Sequence, residues 1–243
     1  MSFFITGTDT GVGKTLVTAG LAAVLVAQGK RVCVVKPVQT GSLLKHSAQT
    51  LRAALESNVL ADDLVEVLKL TGQPENLDTF CSYCFKIPAA PLVADTEGVI
   101  DPRRLVEDVR KLQQQYDVVL VEGAGGIRVP ITHHYDMADL IKELGLPTIV
   151  VTRPDLGTIN HTLLTVDVLK ARQIPVHGVV VSRYPQHTRD EAVLKLEGVL
   201  KRWLNVPLLG IIPDMTLQAG SLRQGSLVLK HFEQILAPTP VGV

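Results

Sequence analysis

The chain has 243 residues, 46% hydrophobic and 20% charged, with 24 Lys+Arg against 24 Asp+Glu. That balance leaves no global field to recruit nucleic acid or an anionic membrane, while the apolar share is ample for a core. The most apolar windows are broken by Gly, Gln or Thr and read as core rather than membrane spans, and no basic segment with an apolar core and cleavage site marks the start for secretion. Cys33, Cys81 and Cys84 are a sparse, odd set that suits a reducing cytosol, so a cytoplasmic location is expected. Strand and helix patterns alternate without a low-complexity linker, which predicts a single domain over 1–243, with 1–235 an ordered core and 236–243 a tail.

An apolar run at 3–6 is followed by Gly7-Thr8-Asp9-Thr10-Gly11-Val12-Gly13-Lys14-Thr15, then by an apolar-periodic stretch that predicts a helix over 14–28. Strand, glycine-rich turn and helix are the context of a phosphate-binding loop. Glycines let backbone N–H groups converge on phosphate oxygens, and the helix start adds unpaired donors. Lys14 can reach the outer phosphates and the Thr15 hydroxyl can ligate Mg²⁺. Five residues separate Gly7 from Gly13, one more than the usual spacing, but Gly11-Val12-Gly13-Lys14-Thr15 is intact. A bare connecting turn would explain the glycines but not Lys-Thr after them.

Further strands are predicted at 32–36, 118–122, 148–152, 178–182 and 208–212, mostly continuous Val/Ile/Leu runs typical of a parallel sheet buried on both faces. Helices are predicted at about 60–71, from Asp101-Pro102 onward, and at 136–144, 158–172, 188–204 and 216–231. The fold class is therefore α/β: a doubly wound, mainly parallel sheet flanked by helices, of the P-loop NTPase type. Ligands bind beyond the carboxyl ends of the strands in such sheets.

The second strand ends in Lys36-Pro37-Val38-Gln39-Thr40-Gly41. A lysine there meets an anion or snorkels to solvent; beside a phosphate loop the first reading is preferred. Asp62-Asp63 open a helix as N-terminal acids or reach a metal. Cys81-Ser82-Tyr83-Cys84, in a strand-like run, reads as two small buried or half-buried thiols. The third strand ends in Glu122-Gly123-Ala124-Gly125-Gly126, where the acid binds Mg²⁺ or caps its own loop. His133-His134 is set aside as a metal cluster, because Asp136 and Asp139 suit a helix start. The turn Gly157-Thr158-Ile159-Asn160 is an anion site or is N-capped by Thr158 or Asn160.

Together these pieces resemble the dethiobiotin synthetases of the biotin pathway. The likeness covers most of the chain and rests on Gly7-Thr8-Asp9-Thr10 with Val12-Gly13-Lys14-Thr15, Lys36-Pro37-Val38 with Thr40-Gly41, Glu122-Gly123-Ala124-Gly125-Gly126, Gly157-Thr158-Ile159-Asn160-His161, and Pro207-Leu208-Leu209-Gly210-Ile211-Ile212-Pro213. It implies a homodimeric ligase that uses ATP, CO₂ and Mg²⁺ to close a ureido ring on 7,8-diaminononanoate, with no nucleic-acid or membrane partner. It assigns catalysis to Lys14 and Lys36 and the metal to Thr15, Asp63 and Glu122. Nucleotide contacts fall to Gly11, Val12, Gly13, Lys14, Thr15, Leu16, Glu122, Gly123, Ala124, Gly125, Ser182, Arg183, Pro213 and Asp214. Thr10 and Gly11 border the diamine, Thr40 binds the carbamate or its phosphate, and Gly157, Thr158, Ile159 and Asn160 bind the substrate carboxylate from the partner subunit. The chain departs from many relatives at Gly11, where some carry Glu, at Ser182-Arg183, where Asn-Asp is common, and at Leu92, where His is frequent. The rival reading, a ParA-like or septum-site ATPase, lacks its signature Lys, since Asp9 stands at that place.

Overall fold

Buried, β-branched runs with no polar alternation assemble here into one parallel sheet of seven strands. The computed structural model describes residues 2–42, 61–223 and 225–236. The strands are β1 (Phe3–Gly7), β2 (Val32–Gln39), β3 (Leu77–Cys84), β4 (Val118–Gly126), β7 (Thr148–Thr152), β8 (Val176–Tyr184) and β9 (Leu208–Pro213). Their spatial order is β3-β2-β4-β1-β7-β8-β9. Two short strands, β5 (Pro130–Thr132) and β6 (Tyr135–Asp136), pair antiparallel on their own, and their turn carries the exposed His133 and His134.

The helices are α1 (Lys14–Ala27), α2 (Asp62–Thr71), α3 (Pro91–Ala94), α4 (Pro102–Gln115), α5 (Met137–Leu144), α6 (Thr158–Ala171), α7 (Glu191–Trp203) and α8 (Lys230–Glu233). The pleat sends Phe3, Ile5, Val34, Leu120 and Ile149 to one face, where α1, α2 and α8 cover them. Phe4, Val35, Val119, Val121 and Val150 point to the other, against α4, α5 and α6. The helix starts follow their chemistry. Asp101 accepts from Arg103 N ahead of Pro102, and Asp136 and Asp139 form a reciprocal capping box.

Winding outward from β1 in both directions leaves a crevice at the carboxyl end of β1, where Gly7 is flanked by Gly126 of β4 and Val151 of β7. The expected strands and helices recur with small shifts of boundary, residue 60 of the expected helix lying outside the described residues. One element differs. The helix expected at 216–231 is not formed as one element: among the described residues 214–223 and 225–226 run as turns and loop, and only 227–236 are helical, in 3₁₀ and α turns. Gly220 and Gly225 both have positive φ, +73° and +81°, which ends a helix. The backbone is claimed elsewhere, since Gly220 N donates to Lys69 O and Leu222 N to Leu70 O at the end of α2. The full length of β3 and the β5–β6 pair are also additions to the sequence reading. Among the described residues no helix is long and apolar enough to cross a membrane.

Candidate active site

Gly11 and Gly13 hold positive φ, +73° and +97°, and Gly13 is the left-handed N-cap of α1. A Cβ at Gly13 would collide with the Ser182 hydroxyl, so glycine is required there on two counts. The loop presents Lys14, 7% exposed, as the first residue of α1. Its Nζ donates back to Asp9 O at 3.2 Å. Burial, then the nearby Lys36 charge, lowers the Lys14 pKa to about 8. The next residue, Thr15, donates its hydroxyl to Glu122 Oε1 at 3.0 Å.

Sheet order explains how Lys36 meets Glu122. β2 and β4 are neighbours with Val35 opposite Val121, so the following residues lie side by side. Both are nearly inaccessible, at 3% and 1%. Lys36 Nζ lies 2.9 Å from Glu122 Oε1 and 2.5 Å from Asp63 Oδ2, and donates to Gly123 O at 3.2 Å. Burial acts to lower the Lys36 pKa, but Glu122 and Asp63 outweigh it and hold it above the ordinary lysine range. For Asp63, burial acts to raise the pKa, and Lys36 outweighs it to leave the carboxyl below its usual value. Asp62, on the outer side beside Ser42, is raised by its own burial and by the Asp63 charge.

The site thus gathers two lysines and two carboxylates, with Lys36 alone in direct contact with both acids, and it still has capacity. Glu122 Oε2 is buried without a partner among the described residues. One hydroxyl and two carboxylates are hard oxygen donors, the set Mg²⁺ prefers, so Thr15, Asp63 and Glu122 fit that ion.

The cluster opens into a cavity of about 950 Å³. Of the sequence-named residues, Thr10, Gly11, Gly13, Lys14, Thr15, Leu16, Lys36, Thr40, Asp63, Glu122, Ala124, Gly125, Arg183 and Asp214 line it. Val12, Gly123, Ser182 and Pro213 adjoin lining residues in the chain without lining the cavity themselves. Arg183, itself at φ +57°, donates to Gly11 O at 3.1 Å and so braces the phosphate loop from β8. Sequence reasoning missed Gln39, Glu66, Leu70, Pro88, Ala89, Ala90, Pro91, Val129, Met215 and Leu217, which also line the cavity. Only Glu66 is charged, and in the sequence it is one more acid on the helix that Asp62-Asp63 open; Gln39 alone sat inside a quoted motif.

The turn at 157–160 does not line the cavity. Gly157 caps α6 in the left-handed region, φ +92°, with no side-chain cap bond, so the alternative of capping by Thr158 or Asn160 falls. Thr158 is instead buried, its hydroxyl 2.6 Å from that of Thr152, which lies 3.1 Å from Thr8 on the phosphate loop. Leu156 beside it is 99% exposed. On β3, Cys81 is buried and Cys84 half-buried; a hydrogen bond with Cys81 lowers the Cys84 thiol to about 7.

Fold and site together define a P-loop nucleotide-dependent enzyme. A family model described as an AAA domain matches residues 1–219. The ATP-dependent dethiobiotin synthetase BioD of Thermodesulfovibrio yellowstonii is 37% identical over 95% of both chains. That of Methanocaldococcus jannaschii is 38% identical over 86% of this chain and 92% of its own. The chain belongs to the dethiobiotin synthetase family. Among solved structures, the septum site-determining protein MinD of Pyrococcus horikoshii, complexed with Mg-ADP, aligns with TM-score 0.61 at 24% identity, covering 97% and 94% of the two chains. A ParA family ATPase from Chlorobium tepidum aligns with TM-score 0.60 at 17% identity, covering 98% and 99%. At such identities these two share the fold alone.

Proposed function

We propose that this protein is an ATP-dependent dethiobiotin synthetase that closes the ureido ring of 7,8-diaminononanoate in biotin biosynthesis. One observation carries the reading: the ammonium groups of Lys14 and Lys36 serve a single cavity, from adjoining elements, beside Glu122 and Asp63. Two cations in one pocket suit a reaction that brings a polyphosphate against a second anion.

In this reading one substrate amine adds to CO₂ and loses a proton, giving a carbamate. The carbamate oxygen takes the γ-phosphoryl group from ATP, releasing ADP and forming a mixed anhydride. The second amine attacks the carbonyl carbon, phosphate leaves with the C–O bonding pair, and a proton is lost as the ring closes. The protein's share is positioning and charge. Backbone N–H groups at 11–16 cradle the phosphates. Lys14 offsets the charge of the γ-phosphoryl group, and Lys36 that of the carbamate. Thr40 and Thr10 hold the diamine end, while Arg183, Pro213 and Asp214 border the base. Mg²⁺, when bound by Thr15, Asp63 and Glu122, supplies charge neutralisation on the triphosphate. The turn at 157–160 serves the carboxylate of a substrate bound by the second copy in a homodimer. One nucleotide-binding domain, working in the cytoplasm, suits the free cysteines.

The test is ADP release with Mg²⁺ present. It is expected to require both bicarbonate and the diamine. Hydrolysis stimulated by DNA or lipid, and indifferent to the diamine, would overturn the reading in favour of a switch ATPase.

A further inference from the structure

Gln39 ends β2 inside the Lys-Pro-Val-x-Thr-Gly stretch and lines the cavity between Lys36 and Thr40. It is 7% exposed. Its Nε2 donates to Thr40 O at 3.0 Å. A carbonyl oxygen only accepts, so this bond fixes which end of the amide is nitrogen. The other end, Oε1, is therefore an acceptor. It is buried and has no partner among the described residues. Its main-chain oxygen is already occupied by Phe85 N at 2.8 Å. An acceptor withdrawn from water and left unmatched costs stability, and it persists where a ligand completes it.

The missing partner must be a hydrogen-bond donor. Phosphate and carbamate oxygens only accept. A nucleoside carries donors, but the base-bordering residues Arg183 and Asp214 come from the ends of β8 and β9, on the far side of β1 from β2. At the β2 end of the cavity the donor-bearing reactant is the diamine.

We infer that Gln39 is a substrate-positioning residue: its Oε1 accepts an N–H of the diamine and aims the nitrogen at the carbon it attacks. Donation from Gln39 Nε2 to Thr40 O holds the amide in that orientation. The inference rests on the dethiobiotin synthetase reading and deepens it by giving the amine a named acceptor.

Steady-state kinetics on wild type, Gln39→Leu and Gln39→Glu test it, with the thermal shift produced by the diamine alone as a second readout. Gln39→Leu keeps the bulk and removes the acceptor. It should raise the KM for the diamine about tenfold or more, leave the KM for ATP unchanged, and abolish most of the diamine-induced thermal shift. Gln39→Glu retains an acceptor but loses the Nε2 donation to Thr40 O that orients it, so its diamine KM should rise less than that of Gln39→Leu. A folded Gln39→Leu with wild-type diamine KM, or with ATP and diamine KM raised equally, overturns the inference. Should Gln39→Leu fail to fold, Gln39→Met, which also keeps the length and lacks the acceptor, takes its place: a raised diamine KM supports the inference and a wild-type diamine KM overturns it. Wild-type protein that releases no ADP with diamine and bicarbonate removes the parent reading instead, which separates the two failures.

Discussion

Lys14 and Lys36 share a pocket but carry their charges on different terms. Lys14 has no carboxylate in direct contact, and burial brings its pKa from 10.5 to about 8. Between those values the unfolded chain holds a proton that the folded chain has released, so this group's contribution to stability rises with pH across that window. Nucleotide binding runs the other way, because an arriving phosphate favours the ammonium. At pH near 9, ATP binding should therefore take up a proton, seen as a calorimetric heat that depends on the ionisation enthalpy of the buffer; buffer-independent heat would refute it. Lys36 is held above its usual pKa by Glu122 and Asp63, so its stabilising effect is present through neutral pH and lost only as pH rises through its folded value. Lys36→Ala should lower turnover by at least ~10²-fold while nucleotide binding largely survives, since the carbamate loses its counter-charge, as Glu122 and Asp63 do, but Lys14 and the loop N–H groups stay in place for the phosphates. Near-normal turnover would take Lys36 out of the mechanism. The two adjacent acids separate as well. Asp63 contacts Lys36 at 2.5 Å, whereas Asp62 faces outward, so Asp63→Asn should raise the Mg²⁺ concentration needed for half-maximal rate more than Asp62→Asn. The opposite ranking would reassign the metal helper.

Among the elements, α1 shows what a sequence conceals. Gly20 sits in its interior, where glycine costs roughly 0.5–1 kcal/mol against alanine. The cause lies 212 residues on: a Cβ at Gly20 would overlap the ring of Phe232, which is fully buried on α1 from the C-terminal turn. Gly20→Ala should thus destabilise, by about 1–3 kcal/mol for an overpacked contact, despite its better helix propensity. An unchanged thermal midpoint would show that the C-terminal segment yields freely. The same segment marks where the sequence ceased to be legible. Leu222, Leu229 and Phe232 fall at a spacing that imitates one continuous helix, yet the loop that carries Leu222 is fixed by bonds to Lys69 and Leu70, partners no local pattern announces. Lys36 and Glu122 stood out because a charge ending a buried strand demands a partner. That each is the other's partner depends on β2 lying beside β4, a fact of strand order rather than of either strand. Gln39 could have been noticed as the polar residue next to Lys36, but its unmatched oxygen is a property of packing alone.

At the scale of the molecule, the cavity is served by one end of the sheet, yet the turn at 157–160 remains outside it. Gly157 and Asn160 are exposed, and Leu156 beside them presents its whole side chain to solvent. An exposed apolar residue next to a helix start suits a surface covered by a second copy, as the homodimer reading requires. The hydroxyls of Thr8, Thr152 and Thr158 tie that turn to the phosphate loop; in the proposed homodimer this joins the half-site a subunit gives to the half-site it keeps. Such a division can be tested by complementation. Lys36→Ala damages the cavity of its own chain. Gly157→Val damages only the turn, because a β-branched residue does not tolerate φ +92°. Each variant alone should be nearly inactive. After the subunits are mixed and allowed to exchange, a heterodimer holds one site in which an intact cavity faces an intact turn, so activity should return. If exchange is demonstrated by mass and no activity returns, the turn belongs to its own chain's chemistry or to none.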